Sequence, residues 1–398
     1  MRRIIFGYVL FFTIVISQVF SGSFISDFTN NILDNRINFI VENMTVDEKI
    51  GQMIMISTDY TSFNQNLNDQ LDDIKPGGVI LFSQNIKSEE QLIKFIADLQ
   101  DNVTIPLFIG VDEEGGRVER FNSIAESPLS QLPSMLDLGN TLDSQLSYQV
   151  GQAIASELSY YGVNLNFAPV LDVYSNSNNT VIGNRAFGTT SSQVIKMALP
   201  LARGLKSNNI IPVIKHFPGH GDTSEDSHVE LPVVRKDLNE LKELELQPFQ
   251  AAINSGVDDA IMVAHIAYPE ITGSMVPATL SSLIITDILR EDMQFDGVIF
   301  TDSIIMKALS TNYTMSEIAV LGVNAGIDVF IAQNKGLELF NAIKTGVETG
   351  KIEEETIDNA VKRVLKLKYK YQLFEEKDYR QVDHEANKEI FDKIIVSN

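Results

Sequence analysis

The sequence predicts an α/β fold, a single (β/α)8 TIM-type barrel, and two observations support this prediction. From residue 45 onward, short apolar runs rich in Val, Ile and Phe alternate with longer amphipathic segments. There are eight such runs, and eight repeats of an apolar strand with a helix are typical of a closed parallel barrel covered by helices. An open doubly wound sheet is the structural alternative.

In chain order, the predicted strands are the apolar runs at 52–57, 78–83, 107–112, 164–173, 211–216, 260–266, 297–302 and 327–333. Segments with a helical spacing of apolar residues lie at 88–100, 142–161, 191–207, 237–254, 281–291, 316–324, 337–349 and 356–371. No break in composition divides the chain after residue 30. We therefore expect one barrel over 30–375, no second α/β sandwich domain, and a short C-terminal tail over 376–398.

The N-terminal residues have the order of a secretory signal peptide. Arg2 and Arg3 precede an apolar stretch over 4–16, and small and polar residues follow over 17–23. The apolar stretch is shorter than the roughly 20 residues of a membrane span. We expect residues 1–23 to be the cleaved leader of an exported protein, which would be periplasmic, bound at the cell surface or secreted. An uncleaved N-terminal anchor is the alternative.

The composition limits the classes of partner. The formal net charge of −22 and a pI near 4.6 argue against nucleic acid or an anionic membrane and favour a neutral or cationic small ligand. We predict no obligate protein partner, and membrane association only if residues 1–23 stay attached. The chain has no cysteine, so an exported form would depend on its core rather than on disulfides for stability.

Polar residues follow the predicted strands at the positions where barrel enzymes carry their active groups. The third strand ends at Asp112, the fifth ends at Lys215 and His216, the sixth contains His265, and the seventh ends at Asp302. A carboxylate at a rigid strand end suits a nucleophile or an electrostatic stabiliser. A helix N-cap is the structural alternative for Asp302.

The segment 215–228 concentrates polar chemistry directly after the fifth strand. It holds three of the five histidines, three acids and two glycines, and its proline and glycines predict a loop. Asp226 precedes His228 by two residues, so its carboxylate could accept a hydrogen bond from one ring nitrogen. The other nitrogen would then serve as an acid or base near neutral pH. An Asp-Ser-His surface loop without a role is the alternative.

Charged side chains predicted at the same rim suit a hydroxyl-rich ligand. Asp112, Arg120, Arg185 and Lys215 offer donors and acceptors without a hydrophobic platform, although each alone could be an ordinary ion pair. The chain has no tryptophan, so a compact pocket for one or two sugars fits better than an open cleft.

A metal site is the main rival interpretation, because the histidines of 215–228, His265 and several aspartates could act as ligands. Barrel hydrolases that use divalent metals commonly take a His-x-His pair from the first strand, and 52–57 offers no such ligand. The pair Gly115-Gly116 is too short for a phosphate-binding glycine motif. We predict no metal and no cofactor.

Several motifs resemble the family-3 glycoside hydrolases, and specifically their bacterial β-N-acetylhexosaminidase subgroup. Lys-His-Phe-Pro-Gly-His-Gly followed by Asp-Ser-His is the signature of that subgroup, and it is present without a gap over 215–228. The resemblance covers about residues 40–373, and its other motifs are 110–118 with Arg120, 166–173, 182–188 and 297–302.

The resemblance implies a retaining exo-acting enzyme that hydrolyses terminal non-reducing β-linked N-acetylglucosamine from peptidoglycan fragments or chito-oligosaccharides. It implies Asp302 as the nucleophile of a glycosyl-aspartate intermediate, His228 as the acid and base, and Asp226 as the residue that orients His228. The positions that hold the sugar in the family correspond to Asp112, Arg120, Arg185, Lys215 and His216. A family-3 phosphorylase or β-glucosidase with the same nucleophile is the alternative, and a non-catalytic wall-binding barrel is another.

The C-terminal residues depart from longer members of the family. Residues 381–387 resemble the start of their second domain, and we expect that domain to be absent. Because the histidine loop supplies the acid from the barrel itself, we expect the barrel to act without the second domain.

A histidine is physically suited to the role of acid and base. A neutral imidazole does not repel the Asp302 carboxylate, and its ordinary pKa near 6.5 suits proton transfer in both directions.

Overall fold

The computed structural model describes residues 22–223, 230–375 and 382–396. The described residues divide into two compact units at residues 44 and 45, and the first unit contains the helix Gly22–Glu42. Residues 1–21 of the predicted leader lie outside the described part, so its cleavage stays a prediction. Among the described helices, none has both the length and the apolar character that crossing a membrane requires.

Eight parallel strands close into a barrel in chain order, which confirms the predicted fold class. Each strand pairs with the next, and the last pairs with the first. Every strand lies within its predicted apolar run or extends it by one residue. Their bounds are β1 Ile54–Ser57, β2 Gly78–Ile80, β3 Phe108–Val111, β4 Leu165–Asn166, β5 Ile211–Phe217, β6 Ala260–Val263, β7 Val298–Ser303 and β8 Val329–Gln333.

Helices connect and cover the strands, and each predicted helical stretch overlaps an observed one. The α-helices of the second unit are Val46–Gln52, Gln65–Ile74, Glu89–Asp101, Met135–Asn140, Ser144–Tyr161, Ser191–Ser207, Leu238–Glu243, Leu246–Ser255, Pro269–Thr272, Lys307–Ser310, Met315–Ala325, Gly336–Glu348, Glu354–Lys370 and His384–Val396. The predicted helix at 281–291 is π-helical over Leu283–Asp292. The helix His384–Val396 falls in the segment for which we predicted only a tail, and it packs against Ser144–Tyr161.

The helix Gln65–Ile74 completes the connection from β1 to β2 and was not predicted. Its signal is nevertheless present in the sequence. Asn64 caps the helix, since its side chain accepts a hydrogen bond from the amide of Leu67. The buried residues Leu67, Leu71 and Ile74 follow a helical spacing on one face. Polar residues surround these three positions, so the short apolar stripe was not recognised in the sequence.

Prolines account for two differences between the predicted and observed elements. The predicted helix 237–254 is interrupted at Leu244. In a continuous helix the ring of Pro248 would clash with the carbonyl four residues earlier, at that position. The predicted strand 164–173 pairs as a ladder only through β4, because Pro169 has no amide hydrogen to donate.

The barrel interior is a packed apolar core to which every strand contributes. Phe300 lies at its centre, with its ring edge-on to those of Phe108 and Phe167 at centroid distances of 6.1 and 5.8 Å. Gly110 leaves room for this packing, because a Cβ there would lie 2.6 Å from the terminal methyl carbon of Met55. A filled interior leaves the rim as the place for a ligand.

A buried lysine closes the packing beneath the barrel. Lys368, on the helix Glu354–Lys370, is fully buried, and its Nζ donates to Oε1 of Gln52 at 2.7 Å. The same nitrogen lies 4.8 Å from the ring centroid of Phe108. Because burial penalises the charged ammonium, the pKa of Lys368 lies well below its usual range.

We expect Lys368→Met to weaken the dependence of stability on pH. In the unfolded chain the lysine regains its ordinary pKa near 10.4, so the unfolded state binds more protons and stability falls as the pH drops below that value. The free energy of unfolding of the wild type relative to the variant should rise by up to about 1.4 kcal/mol per pH unit between pH 7 and 9. Urea unfolding of both proteins at several pH values gives these free energies.

The matched control is Lys362→Met, which removes a partly exposed lysine from the same helix. Its stability should stay parallel to that of the wild type over the same pH range. A Lys368→Met curve that also ran parallel to the wild type would contradict the depressed pKa.

Candidate active site

Side chains at the carboxyl ends of the strands enclose a cavity of about 530 Å³, a size suited to a small ligand. The structure brings together there the predicted nucleophile and all five predicted sugar-binding residues. Among the described residues, the charged and imidazole side chains that line the cavity are Asp112, Glu114, Arg120, Arg185, Lys215, His216, His220, Asp302 and Lys307.

Irregular pairing lets consecutive residues face the cavity. Side chains on a regular strand alternate between its two faces. The register between β5 and β6 shifts between Lys215 and Phe217, and both Lys215 and His216 line the cavity. The register between β7 and β8 shifts in the same way just before Ser303, where Asp302 and Ser303 both line it. Such bulges commonly redirect side chains at barrel rims.

Lys215 is the centre of the charged network. Its Nζ lies 2.8 Å from Oδ1 of Asp112 and 2.6 Å from Oε1 of Glu114, and its side chain is 2% exposed. Burial alone lowers the pKa of Lys215, but the two carboxylates outweigh burial and raise it above its usual value. Burial in turn raises the pKa of each carboxyl, and the neighbouring cations bring both below their usual range. All three groups are therefore ionised at neutral pH.

Two arginines complete the network. Arg185 binds Glu114 with two parallel hydrogen bonds, from Nε to Oε2 at 2.7 Å and from Nη2 to Oε1 at 2.8 Å. Arg120 reaches Asp112 from its Nη2 at 3.1 Å. Each carboxylate thus has two cationic partners, and Lys215 is shared between them.

His216 is held in one tautomer. Its Nδ1 lies 2.7 Å from Oδ2 of the buried Asp172, and its Nε2 lies 3.4 Å from Nη2 of Arg185. An arginine nitrogen can only donate a hydrogen bond, so Nε2 of His216 accepts one. Nδ1 therefore carries the proton and donates a hydrogen bond to Asp172. Burial raises the pKa of Asp172, and the contacts with His216 and His220 lower it below its usual value.

The loop after β5 is fixed by close backbone packing. A Cβ at Gly221 would lie 1.7 Å from the carbonyl oxygen of Val173, in the loop after β4, so only glycine fits. The ring of His220 is buried with its Nδ1 2.8 Å from Oγ1 of Thr223. Burial, together with the nearby His216, lowers the pKa of His220 to about 4. At neutral pH His220 is an uncharged structural group.

Asp302 lies at the end of β7 with its carboxylate in the cavity. Its Oδ1 accepts from the amide of Ser303 at 2.7 Å. The carbonyl of Ser303 accepts from Nε2 of His265 at 3.0 Å, and Nδ1 of His265 lies 2.7 Å from Oγ1 of Thr279. Burial raises the pKa of Asp302, but His265 and the Ser303 amide contribute to bringing it below its usual value. The carboxylate is ionised and held in place.

Residues 45–367 match the glycosyl hydrolase family 3 N terminal domain. The chain belongs to glycosyl hydrolase family 3. It is 31% identical over 370 residues to beta-hexosaminidase A of Pseudoalteromonas piscicida, a match that covers 82% of this chain and 61% of that protein. The chain thus spans less than two thirds of that relative's length.

Two solved structures agree with this fold. A glycoside hydrolase family 3 beta-N-acetylglucosaminidase from Paenibacillus superposes with a TM-score of 0.84 and 34% identity, covering 89% of this chain and 69% of that one. The beta-glucoside phosphorylase BglX bound to 2FGlc superposes with a TM-score of 0.82 and 27% identity, covering 91% of this chain and 66% of that one.

The family 3 site contains three groups to which sequence reasoning assigned no role, although Asp172 and His265 were noted at the ends of the fourth and sixth predicted strands. Glu114 joins Lys215 to Arg185, Asp172 orients His216, and His265 holds the peptide next to Asp302. Each lies within a motif or a predicted strand, but its partner is distant in the sequence. Their roles become apparent only from the interatomic distances in the folded structure.

Glu113 supports the site from the side of β3. Burial raises its pKa well above the usual value, and its Oε2 accepts from the backbone amide of Arg120 at 2.9 Å. Asn166, at the end of β4, exchanges two hydrogen bonds with the backbone of Glu113, at 3.0 and 2.9 Å. These contacts tie the segment that carries Arg120 to the barrel.

Within the part of the chain that the structure describes, no three His, Asp or Glu side chains converge as metal ligands would. Of the histidines that the metal interpretation considered, His216 is hydrogen-bonded to Asp172, and His265 to Thr279 and Ser303. Two predicted catalytic residues, Asp226 and His228, lie in 224–229, outside the described residues. Their roles stay predictions.

We expect Glu114→Gln to destabilise the family 3 barrel by about 3–5 kcal/mol, the usual consequence of removing one partner from a buried ion pair. The substitution keeps the shape of the side chain but leaves Lys215 and Arg185 with too little negative charge. Urea unfolding at neutral pH gives the change in free energy.

The matched control for this experiment is Glu338→Gln, which removes one partner of the exposed pair between Lys335 and Glu338. Its effect should stay below about 1 kcal/mol. An equally small effect of Glu114→Gln would show that the buried network does not depend on that charge.

Proposed function

We propose that this chain is a retaining exo-acting β-N-acetylhexosaminidase that hydrolyses terminal non-reducing β-linked N-acetylglucosamine from peptidoglycan fragments or chito-oligosaccharides. The observation that carries the proposal is the ionised Asp302 carboxylate at the edge of a cavity whose deeper charges pair with one another. The signature over 215–228 and the names of the related proteins support the choice of sugar.

The buried network would hold the terminal sugar. Asp112 and Glu114 are acceptors, and Lys215, Arg120 and Arg185 are donors fixed before the ligand arrives. Sugar hydroxyls both donate and accept hydrogen bonds. The alternating ionic donors and acceptors of the network can therefore bind them without any side chain changing its charge. Preorganised groups of this kind position the anomeric carbon with little cost in side-chain entropy.

The reaction would proceed by two displacements at the anomeric carbon. Because the Ser303 amide occupies Oδ1 of Asp302, Oδ2 is available to form the new carbon–oxygen bond. The bond to the leaving oxygen breaks, and His228, oriented by Asp226, gives that oxygen a proton. Water then attacks the glycosyl-aspartate, loses a proton to His228 and restores the Asp302 carboxylate with retained configuration.

A phosphorylase is the second candidate. The structural similarity to the beta-glucoside phosphorylase favours it, and phosphate would then replace water in the second displacement. Product analysis with and without phosphate separates the two reactions, since a phosphorylase yields a sugar 1-phosphate.

Export of the enzyme is a further part of the proposal, and it depends on the leader-like order of residues 1–23.

We expect Asp302→Ala to lower kcat for an aryl β-N-acetylglucosaminide by about 10³-fold or more, because the variant lacks the nucleophile. In the wild type, mass spectrometry during steady-state turnover of an activated substrate should locate the trapped sugar on Asp302. The control Asp59→Ala removes an exposed carboxylate from the loop after β1 and should retain activity. A variant of Asp302 with full activity would exclude the mechanism.

We expect His228→Ala to slow substrates with poor leaving groups far more than activated aryl glycosides. A leaving oxygen of low basicity departs without a proton, whereas a sugar hydroxyl needs one. The measurement compares kcat/KM for a chitobiose-type disaccharide and for a nitrophenyl glycoside in both proteins. Equal losses on the two substrates would mean that His228 is not the acid.

A further inference from the structure

Lys307 is the cation of the cavity that has no assigned role. It lines the same cavity as Asp302, five residues further along the chain, in the short helix Lys307–Ser310 after β7. Its side chain is exposed, whereas Lys215 at the other end of the charged network is 2% exposed. The difference in exposure places Lys307 on the solvent side of the cavity.

Among the described residues, the charges that line the cavity balance without Lys307. Three of these side chains are carboxylates, those of Asp112, Glu114 and Asp302, and three further cations pair with the first two carboxylates. Within the described parts of the chain Lys307 forms no ion pair, although acids outnumber bases so strongly that the net charge is −22. It is a surplus positive charge at the mouth of the cavity.

The neighbours of Lys307 give the mouth an apolar side as well. Ile305 and Met306 line the cavity next to it, and Ile305 is 36% exposed. In an exo-acting enzyme the terminal sugar fills the closed end and the leaving group points to the solvent. A leaving group would therefore meet an ammonium beside exposed apolar surface.

We infer that Lys307 forms a subsite for an anionic leaving group, so that the enzyme prefers glycosides whose aglycone carries a carboxylate. This inference rests on the proposed hydrolase activity. The carboxylate binds the ammonium of Lys307 while the carbon skeleton of the aglycone packs on Ile305 and Met306. Because the Debye length at physiological salt is about 8 Å, the distant acidic surface is largely screened and this local cation dominates.

The test uses two aryl β-N-acetylglucosaminides that differ only in charge, the 4-carboxyphenyl glycoside and its methyl ester. The readout is the ratio of kcat/KM for the acid to kcat/KM for the ester, compared between proteins so that intrinsic leaving-group effects cancel. We expect Lys307→Met to lower this ratio about threefold to tenfold, the range expected for one partly exposed, charge-assisted contact.

Three control measurements make the result specific. Lys307→Arg keeps the charge and should retain the ratio of the wild type. Lys335→Met removes a lysine that follows β8 on the same face of the barrel but does not line the cavity, and the ratio should not change. Raising the salt concentration should reduce the preference of the wild type for the acid and leave that of Lys307→Met unchanged.

The outcomes separate this inference from the proposed function. If the wild type cleaves neither glycoside, the proposed function is wrong. If it cleaves both and Lys307→Met leaves the ratio of the wild type intact, the subsite is wrong while the hydrolase activity stands. If Lys307→Met instead changes only the response to added inorganic phosphate, the cation serves a phosphate acceptor and the anionic aglycone is overturned.

Discussion

The structure of the site depends on one buried ammonium. Lys215 ends β5 almost without exposure, and a charge removed from water costs several kcal/mol unless partners compensate it. Asp112 and Glu114, which follow β3, are those partners, and Arg185 binds the second of them from the segment after β4. Three separate connections of the barrel are therefore held in one arrangement, and the pocket exists before a ligand enters it.

Buried charges are compensated by partners of opposite charge at both ends of the barrel. At the carboxyl ends of the strands, paired charges surround a cavity, and within the described residues the Asp302 carboxylate has no ion pair with a cation. At the opposite end, Asp328 is buried between Arg290 and Arg363, at 2.6 and 2.8 Å, and accepts from the amide of Ile299. These contacts join the strands to the outer helices. Buried ion pairs thus stabilise both ends of the barrel, and the candidate active site lies at the carboxyl ends of the strands, as is usual for this architecture.

Much of this arrangement was predictable because it is local in the sequence. Apolar runs of strand length predicted all eight strands, and Asp302 was selected because it follows such a run. The helix Gln65–Ile74 was missed because its apolar stripe is short, and β4 was overestimated because Pro169 interrupts an apolar run. The contributions of Glu114, Asp172 and His265 could not be predicted, since each depends on a partner tens of residues away.

The amino-acid sequence is sufficient to predict the number and order of the strands, the family motifs and the six candidate residues that share one cavity. Periodic burial and motif spacing are properties of neighbouring residues, so they can be read without coordinates. The folded arrangement shows which charges neutralise one another and that Asp302 is held through the Ser303 peptide. It also shows that Lys307, at the mouth of the cavity, has no ion pair within the described residues. Pairing of charges depends on distances between strands, and closure of the barrel sets those distances.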